Sequence, residues 1–359
     1  HLLVYSREII SMYFPETSLI RLLPFVLIAK FCTSVDNVDI KDKPSCPDAH
    51  AIAPACTCQK SSVTQTLYMD CGGADSFFLL KHAFQADFPT KAMTTLRILD
   101  SPITKLESGT FRDVSFEIIN IQYGDLETIE AGVFDGSKHT VRTLIFSHNA
   151  IRSFPFDTLH QFTALESLYL IDNEITSMPV FANPTLEVMD LGHNPLKQLP
   201  YDAFRELPSL IFAGLYYDQL DDFPPGVFSD NPQIINVDLR GNKLTHLPSD
   251  MFKGSNKLTG IGLDKNMIER VEPGAIPVNL DLVVNFQSNK LKVLEETVWG
   301  PLLNEGVSIN YMEDNPLACG CDVAWLVRDE PLLKMMPNAR CDSGLLFEEL
   351  NPMNFTDCP

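Results

Sequence analysis

Residues 165–179 read LESLYLIDNEITSMP, and their apolar spacing decides the fold because neither a helix nor a strand sustains it. If Leu165 is position 1, apolar side chains stand at positions 1, 4, 6, 11 and 14, and Asn173 stands at position 9. Positions 4 and 6 face the same side of a short strand, because successive strand side chains point to opposite faces. The stretch therefore predicts a short strand that turns at an asparagine and returns its later apolar residues to the same interior.

The same frame recurs in units of 21–26 residues, ten of which are recognisable. Seven units carry asparagine at position 9, and the other three carry Ser101, Gly124 and Asp218 there. The asparagines are Asn149, Asn173, Asn194, Asn242, Asn266, Asn289 and Asn315. One unit alone leaves too much apolar surface in water, whereas stacked units bury it. The repeat therefore predicts a curved solenoid whose strands form one parallel β-sheet on the concave side.

The amide at position 9 is predicted to stabilise the turn after each strand. An amide offers both donors and an acceptor, so it can satisfy backbone groups of its own unit and of the adjacent one. Asp218 keeps the acceptors but lacks the donors, and Gly124 supplies neither. We therefore expect a looser turn at Gly124.

A second ladder of large apolar residues falls at position 19 and predicts a buried core on the convex side. Its members are Phe111, Phe134, Phe204, Phe228 and Phe252, with Leu159, Ile276 and Trp299 as substitutes. The unit that begins at Leu165 is three residues short and carries Pro179 and Pro184 at its turn, so the solenoid is expected to narrow there.

The cysteines predict a stapled cap at each end of the repeats. Of the nine, Cys32 lies near the N-terminus, and the other eight are Cys46, Cys56, Cys58, Cys71, Cys319, Cys321, Cys341 and Cys358. Two groups of four favour disulfides and an oxidising compartment. Zinc binding with the help of His50 is the alternative, but both groups contain C-x-C instead of the usual C-x-x-C ligand spacing. The residues alone leave three connectivities open in each cap.

The pattern L-x-x-L-x-L-x-x-N-x-L, from about residue 93 to 317, resembles the leucine-rich repeat family. The segments CPDAHAIAPACTCQKSSVTQTLYMDC (46–71) and NPLACGCDVAWL (315–326) resemble the cysteine-rich caps of its extracellular members. The resemblance implies an α/β repeat fold, a leucine-rich repeat solenoid with disulfide-bonded terminal caps. It also implies four disulfides, namely Cys46–Cys58, Cys56–Cys71, Cys319–Cys341 and Cys321–Cys358.

Residues 1–34 are predicted to be a leader and signal peptide. Arg21 precedes the apolar run LLPFVLIA (22–29), and small residues follow it. Eight apolar residues are too few for a bilayer that needs ~20, although a signal anchor is the alternative. The remaining predicted parts are a linker at 35–45, a cap at 46–92, repeats at 93–314 and a cap at 315–359. We expect an extracellular mature chain without a membrane span, with a glycosylation site at Asn354 in the sequon Asn354-Phe355-Thr356.

Charge and motifs exclude several classes of function. The formal net charge is −20, with 27 basic and 47 acidic residues, so nucleic acid and anionic membranes are poor partners. No nucleophile elbow, zinc-protease motif, phosphate loop or dinucleotide fingerprint occurs in the sequence. We therefore expect no catalytic residue, no cofactor and no metal. His148, Asp172 and His193 share position 8 of successive units, so a metal site there is the alternative to three solvated side chains.

Positions 3, 5, 7 and 8 of each unit should point outward from the concave sheet and form a protein-binding face. Neighbouring strands lie ~4.8 Å apart, which makes these side chains one continuous patch. Aromatic residues and arginine are enriched in such patches at protein interfaces. The alternative is that the aromatic rings only cover neighbouring sheet surface. The predicted partner-binding residues are Ile145, His148, Tyr169, Asp172, Asp190, His193, Phe212, Tyr216, Tyr217, Asp238 and Arg240.

The chain also resembles secreted arthropod leucine-rich repeat proteins, a group that includes non-catalytic accessory subunits of luciferase-type oxidoreductases. The resemblance rests on the cap segments and on TLIFSHNAIRSFPFDTL (143–159). It implies a secreted scaffold that binds a protein partner without catalysis. A receptor or adhesion ectodomain and an enzyme in its own right are the alternatives.

Overall fold

The computed structural model describes residues 44–309 and 311–358. The predicted signal peptide and most of the predicted linker lie outside the described residues. The N-terminal cap consists of α1 (Ala49–Ile52), β1 (Thr57–Lys60), β2 (Leu67–Asp70) and α2 (Phe77–Ala83). Strands β1 and β2 pair antiparallel, and β2 then pairs in parallel with the first repeat strand. The cap thereby covers the edge of the repeat sheet that would otherwise stay open.

The main sheet has eleven strands in sequence order. After β1 and β2 they are β3 (Ala92–Leu99), β4 (Ser115–Gln122), β5 (Thr143–Ile145), β6 (Ser167–Tyr169), β7 (Val188–Asp190), β8 (Phe212–Gly214), β9 (Asn236–Asp238), β10 (Gly260–Gly262) and β11 (Val283–Asn285). All repeat strands are parallel and in register, so that Tyr169 lies opposite Asp190. The tenth unit joins through a single parallel bridge between Asn285 and Tyr311. The predicted leucine-rich repeat solenoid is confirmed.

The segments that return from one strand to the next consist mainly of turns. Short parallel pairs join Lys105–Leu106 to Thr128–Ile129 and His246–Leu247 to Arg270–Val271. 3₁₀ helices occur at Asp135–Ser137 and Phe156–Gln161, and α3 (Glu296–Asn304) follows β11. The short unit after Leu165 has neither a helix nor a second strand in its return segment.

The asparagines at position 9 form the predicted ladder of amides. Asn173 Nδ2 donates to the carbonyl oxygens of Leu170 in its own unit (2.9 Å) and of Phe146 in the preceding one (3.0 Å). Its Oδ1 accepts from the backbone N–H of Ile151 at 3.0 Å. Asn194, Asn242, Asn266, Asn289 and Asn315 repeat this arrangement with their own neighbours. Each amide thus joins two adjacent units, as the repeat pattern predicts.

Gly124 does not give the open turn that its missing side chain suggests. A Cβ atom at residue 124 would lie 2.5 Å from the carbonyl oxygen of Ser101 and 3.2 Å from Asn149 Oδ1. The backbone of residue 124 therefore runs too close to the preceding unit for any side chain. Ser101, in the slot before it, uses its hydroxyl to donate to Ala74 O at 2.8 Å.

Asp218 departs from the ladder in a way that its chemistry explains. Its Oδ1 accepts from the backbone N–H of Asn194 at 2.7 Å, but its buried Oδ2 has no hydrogen-bond partner among the described residues. Burial, together with the nearby Asp190 and Asp238 carboxyls, raises the pKa of Asp218 to about 9. The side chain is therefore a neutral carboxylic acid at pH 7, which removes the charge from the interior.

The predicted ladder at position 19 is buried throughout, with every member at most 6% exposed. Phe204 stacks on Phe228 with a centroid distance of 4.8 Å, and Phe228 stacks on Phe252 at 5.5 Å. In the short unit, Phe181 takes the place of a ladder member and packs on Phe156 at 5.4 Å. The convex core is thus continuous across the unit that lacks three residues.

A further polar ladder, which the sequence patterns did not predict, supports the convex side. Asn183 Nδ2 donates to the carbonyl oxygens of Leu159 and Phe162, and its Oδ1 accepts from two backbone N–H groups further on. Asn231 Nδ2 donates in the same way to the preceding unit. Ser137 and Ser255 occupy equivalent places with their hydroxyls. These polar groups compensate backbone groups that the buried turns would otherwise leave without partners.

The C-terminal cap is a cluster of short helices. It contains α4 (Ala324–Val327), α5 (Glu330–Leu333) and 3₁₀ helices at Cys321–Val323, Phe347–Glu349 and Pro352–Phe355. Trp325 packs into this cap, and its Nε1 donates to Leu294 O of the last repeats at 3.0 Å. The disulfides of the two caps are Cys46–Cys58, Cys56–Cys71, Cys319–Cys341 and Cys321–Cys358, which are the pairs implied by the family resemblance. Within the described residues, no helix is long and apolar enough to span a membrane.

Candidate functional site

The concave face has an unusual alternation at position 5 of its central strands. Asp190, Gly214, Asp238, Gly262 and Asn285 lie opposite one another on β7 to β11. A Cβ atom on Gly214 would lie 2.6 Å from Asp190 Oδ1, and one on Gly262 would lie 3.0 Å from Asp238 Oδ1. Each aspartate therefore leans sideways over the glycine of the next strand. The glycines make room for the carboxyls and bring them close to the sheet.

Arg240 is the centre of the charged groups on this face. Its guanidinium lies 5.0 Å from the ring centroid of Tyr216, and its Nη2 is 3.2 Å from Asp238 Oδ2. The Tyr216 ring in turn lies flat on Gly192, where a Cβ atom would collide with it. We name the set Asp190, Tyr216, Asp238, Arg240 and Asp264 the Arg240 cluster.

Burial gives the carboxyls of the Arg240 cluster unusual acidities. Loss of water raises the pKa of Asp190 to about 7, against a hydrogen bond from Gly192 N that favours the ionised form. Burial also raises the pKa of Asp238 to about 6, against the opposing effect of Arg240. The pKa of Asp264 is raised for the same reason. Desolvation raises the pKa values of these carboxyls more than the single cation, Arg240, lowers them. Ionisation of the carboxyls therefore costs free energy.

A second feature of the face is the edge formed by the residues at position 8. All of them have positive φ, the left-handed region that non-glycine residues enter at a cost. Tyr123 stacks on His148 with 4.7 Å between centroids, and His148 Nδ1 lies 2.8 Å from Asp172 Oδ2. His193 stacks on Tyr217 at 4.8 Å. The position-8 edge consists of Asp100, Tyr123, His148, Asp172, His193, Tyr217, Gly241, Lys265, Ser288 and Asp314.

The structure brings most of the predicted partner-binding residues onto one surface, with two corrections. Tyr217, Asp172 and His193 are exposed, whereas Ile145, His148, Tyr169, Phe212, Asp238 and Arg240 are half-buried. Tyr216 and Asp190 are each only 4% exposed, so the expectation that they are available at the surface is wrong. Each side chain lies flat on the sheet because a glycine of the neighbouring unit leaves room for it, Gly214 for Asp190 and Gly192 for Tyr216. Tyr216 therefore covers neighbouring sheet, as the alternative interpretation of the aromatic residues proposed.

The hypothesis of a metal at His148, Asp172 and His193 is not supported. His148 and Asp172 pair with each other, while His193 turns to the Tyr217 ring. In the described part of the chain, no group of three or more His, Cys, Asp or Glu side chains is arranged to hold a metal ion. The sequence patterns did not identify Tyr123, Asp264 or the glycines Gly192, Gly214 and Gly262 as residues of the site. All of them lie at outward positions of the repeat frame, which is the signal that could have identified them.

Known proteins resemble this chain over 33% to 89% of its length. The BspA type leucine-rich repeat region matches in six copies, over residues 82–211 and 174–275. The Oplophorus-luciferin 2-monooxygenase non-catalytic subunit of Oplophorus gracilirostris is 32% identical over 329 residues, which are 89% of this chain and 90% of that protein. Osteomodulin of Mus musculus is 28% identical over 120 residues, 33% of this chain and 28% of that protein.

Solved structures share the fold at lower identity. A chain from the octameric complex of Latrophilin 3, Unc5D and FLRT2 (LRR) superposes with a TM-score of 0.62 at 20% identity, covering 74% of this chain and 83% of that one. The leucine-rich repeat domain of APL1 superposes with a TM-score of 0.51 at 24% identity, covering 63% and 57%. These similarities concern the architecture alone.

Proposed function

Because this chain belongs to the leucine-rich repeat family and aligns along most of its length with a non-catalytic subunit, we propose that it is an extracellular, non-catalytic protein that holds a protein partner on its concave face. The single observation that carries the proposal is a set of outward side chains: Ile145 lies opposite Tyr169 on neighbouring strands, Phe212 lies on β8, and Tyr217 is exposed at the position-8 edge. These half-buried or exposed groups lie on one face of a sheet whose units are hydrogen-bonded to one another. A preformed surface of this kind binds without a large ordering cost.

The accessory role is supported by the relative from Oplophorus gracilirostris, which is described as the non-catalytic subunit of a monooxygenase. We propose that this chain likewise accompanies an enzyme of the oxidoreductase class.

The extracellular setting is supported by the four disulfides, which use all eight cysteines in the described residues. Bonds of this type persist in oxidising compartments and are rare in the cytosol. In the same setting, we propose that Asn354 carries a glycan, since it is exposed in the C-terminal cap.

Site-specific photo-crosslinking of the full chain in its native extracellular fluid tests the proposal. A photoreactive phenylalanine analogue replaces Phe212 on the concave face, and in a control chain it replaces Tyr201, which is 69% exposed in the segment that returns from β7. We expect one discrete protein adduct from position 212 and none of that mass from position 201. Equal adducts from both positions, or none from position 212, would contradict a concave binding face.

A triple variant provides a second measurement. Tyr169, Phe212 and Tyr217 are changed together to alanine, and Tyr216 is left in place because its ring supports Arg240. We expect the partner captured by cross-linking to lose at least tenfold in affinity, as removal of central aromatic contacts does at protein interfaces. A matched triple of Tyr201, Val278 and Leu280, all exposed outside the sheet face, should bind as the natural chain does.

A further inference from the structure

The outward positions of the sheet carry a marked excess of negative charge. At positions 3, 5, 7 and 8 of the units from Val141 to Asn315, six residues carry carboxylates and only Arg240 and Lys265 are permanent cations. The six are Asp172, Asp190, Asp238, Asp264, Glu313 and Asp314. Five of these carboxylates and both cations lie from β7 onward. A partner that contacts this surface must compensate the excess of negative charge.

The negative groups are held in a way that favours a cationic ligand. Asp190 and Asp238 lie flat over the glycines of the next strands. Asp264 Oδ1 accepts a hydrogen bond from Asn285 Nδ2 at 3.2 Å. Burial disfavours the ionised form of all three carboxyls. The buried Oε2 of Glu313 has no hydrogen-bond partner among the described residues. An incoming cation would stabilise the ionised carboxylates and relieve part of that cost.

The apolar residues beside the acidic groups fit the stems of basic side chains. Phe212 lies on β8 next to the Arg240 cluster, and Tyr217 is exposed at the position-8 edge. Lysine and arginine pack their methylene groups on such surfaces while their charged ends reach carboxylates.

From these observations we infer that the concave face receives a basic segment of the protein partner, with lysine or arginine side chains directed at Asp264 and its neighbours. The inference rests on the proposed function and specifies the chemistry of the partner. A single divalent ion does not fit equally well, because position-5 carboxyls two strands apart are separated by ~10 Å, whereas one ion needs its ligands within ~2.6 Å. A segment with several cations spans such distances.

Peptide binding to the full chain tests the inference. The probe is a labelled dodecapeptide of alternating arginine and leucine, followed by fluorescence anisotropy at physiological salt, and the reference is the peptide with glutamate in place of each arginine. We expect the arginine peptide to bind at least tenfold more tightly than the glutamate peptide. Equal binding of the two peptides would overturn the inference.

Matched variants separate the concave face from the general negative charge. One chain carries Asp264→Asn and Asp314→Asn, and the control carries Asp230→Asn and Asp281→Asn, which are exposed off the sheet face and change the net charge equally. We expect the Asp264 and Asp314 substitutions to lower the affinity for the arginine peptide about tenfold. The control substitutions should change that affinity by less than twofold. An equal loss in both chains would mean diffuse attraction and would overturn the inference. Circular dichroism melting shows that each variant is folded.

The native partner distinguishes this inference from the proposed function. If the triple alanine variant no longer binds the cross-linked partner but the Asp264→Asn and Asp314→Asn variant still does, the concave binding face is supported. The inference of a basic partner segment is then wrong. If neither variant loses the partner, the proposed function fails as well. Loss in both chains supports both.

Discussion

At the scale of single residues, the amide ladder is the part of the molecule where chemical identity matters most. Each position-9 side chain is placed between carbonyl oxygens of two units, and an amide can donate to both. Asp218 alone brings a carboxyl to this place, and it does so without a partner for Oδ2 among the described residues. Burial, together with the nearby Asp190 and Asp238 carboxyls, raises its pKa to about 9, which makes the stability of the fold depend on pH.

Asp218→Asn is expected to stabilise the chain by about 1–3 kcal/mol at pH 7, the range for relieving an unsatisfied buried polar group. The folded pKa of Asp218 is about 9 and lies above its unfolded value. The contribution of this carboxyl to stability is therefore fully present below pH ~4 and is lost as the pH rises toward 9. The advantage of the variant should grow over that interval, as measured by urea unfolding at pH 5, 7 and 9.

The reverse change provides the control for Asp218. Asn242→Asp places a carboxyl in an otherwise identical slot, since the Nδ2 of Asn242 donates to Leu215 O and Leu239 O. It should lower stability, and the loss should increase with pH over the same interval. A stability difference that does not change with pH in either variant would contradict a protonated Asp218.

Asn242→Ala tests the ladder itself. It removes both donated hydrogen bonds and the acceptor for Asp218 N and Leu220 N. We expect a loss of about 1–3 kcal/mol in the free energy of unfolding, because buried backbone groups lose their partners. Denaturant unfolding measures it, and a loss within experimental error would show that the amide only occupies space.

At the scale of strands, the sheet face depends on which residue lies beside which across the units. The repeat frame assigns Asp190, Tyr216 and Arg240 to outward positions, and that assignment is correct. It does not reveal that Tyr216 lies flat, because this depends on Gly192 of the neighbouring strand. Side-chain direction within one unit is therefore predictable from sequence, whereas exposure requires the neighbouring unit as well.

Gly214→Ala tests this coupling between strands. The new methyl group would lie 2.6 Å from Asp190 Oδ1, so the carboxyl must move out of its place over β8. We expect a loss of about 1–3 kcal/mol in stability, as for other overpacked sites. Gly300→Ala in α3 is the control, since its methyl group would meet only ordinary contacts at 3.4 Å or more. Thermal unfolding should show a loss for Gly214→Ala and no loss for Gly300→Ala.

At the scale of the whole molecule, the repeats are closed at both ends by disulfide-bonded caps. The spacing of the cysteines predicts the caps, but the pairing comes from family resemblance, because four cysteines allow three pairings. The second polar ladder at Asn183 and Asn231 could not be predicted, since asparagine in a turn segment is common and its partners lie in another unit. Sequence thus predicts the order of the units better than the contacts between them.

Removal of the Cys321–Cys358 disulfide by changing both residues to serine should destabilise the C-terminal end most. This bond closes 37 residues, and a loop of that length corresponds to about 3–4 kcal/mol. Hydrogen-exchange mass spectrometry should show faster exchange in the cap and in β11 than in β7 and β8, because each unit contacts only its neighbours. Uniformly faster exchange along the chain would contradict a solenoid that opens from its end.

The alternation of aspartate and glycine at position 5 has a consequence for how such a chain can change in length. Asp190 needs Gly214, and Asp238 needs Gly262, so the pattern repeats every two units. Duplication of the Asp190 unit alone, or loss of the Gly214 unit, would set two acids side by side, whereas an extra glycine unit would leave each aspartate with its glycine. An aspartate unit can therefore be gained without loss of fit only together with the glycine unit that follows it.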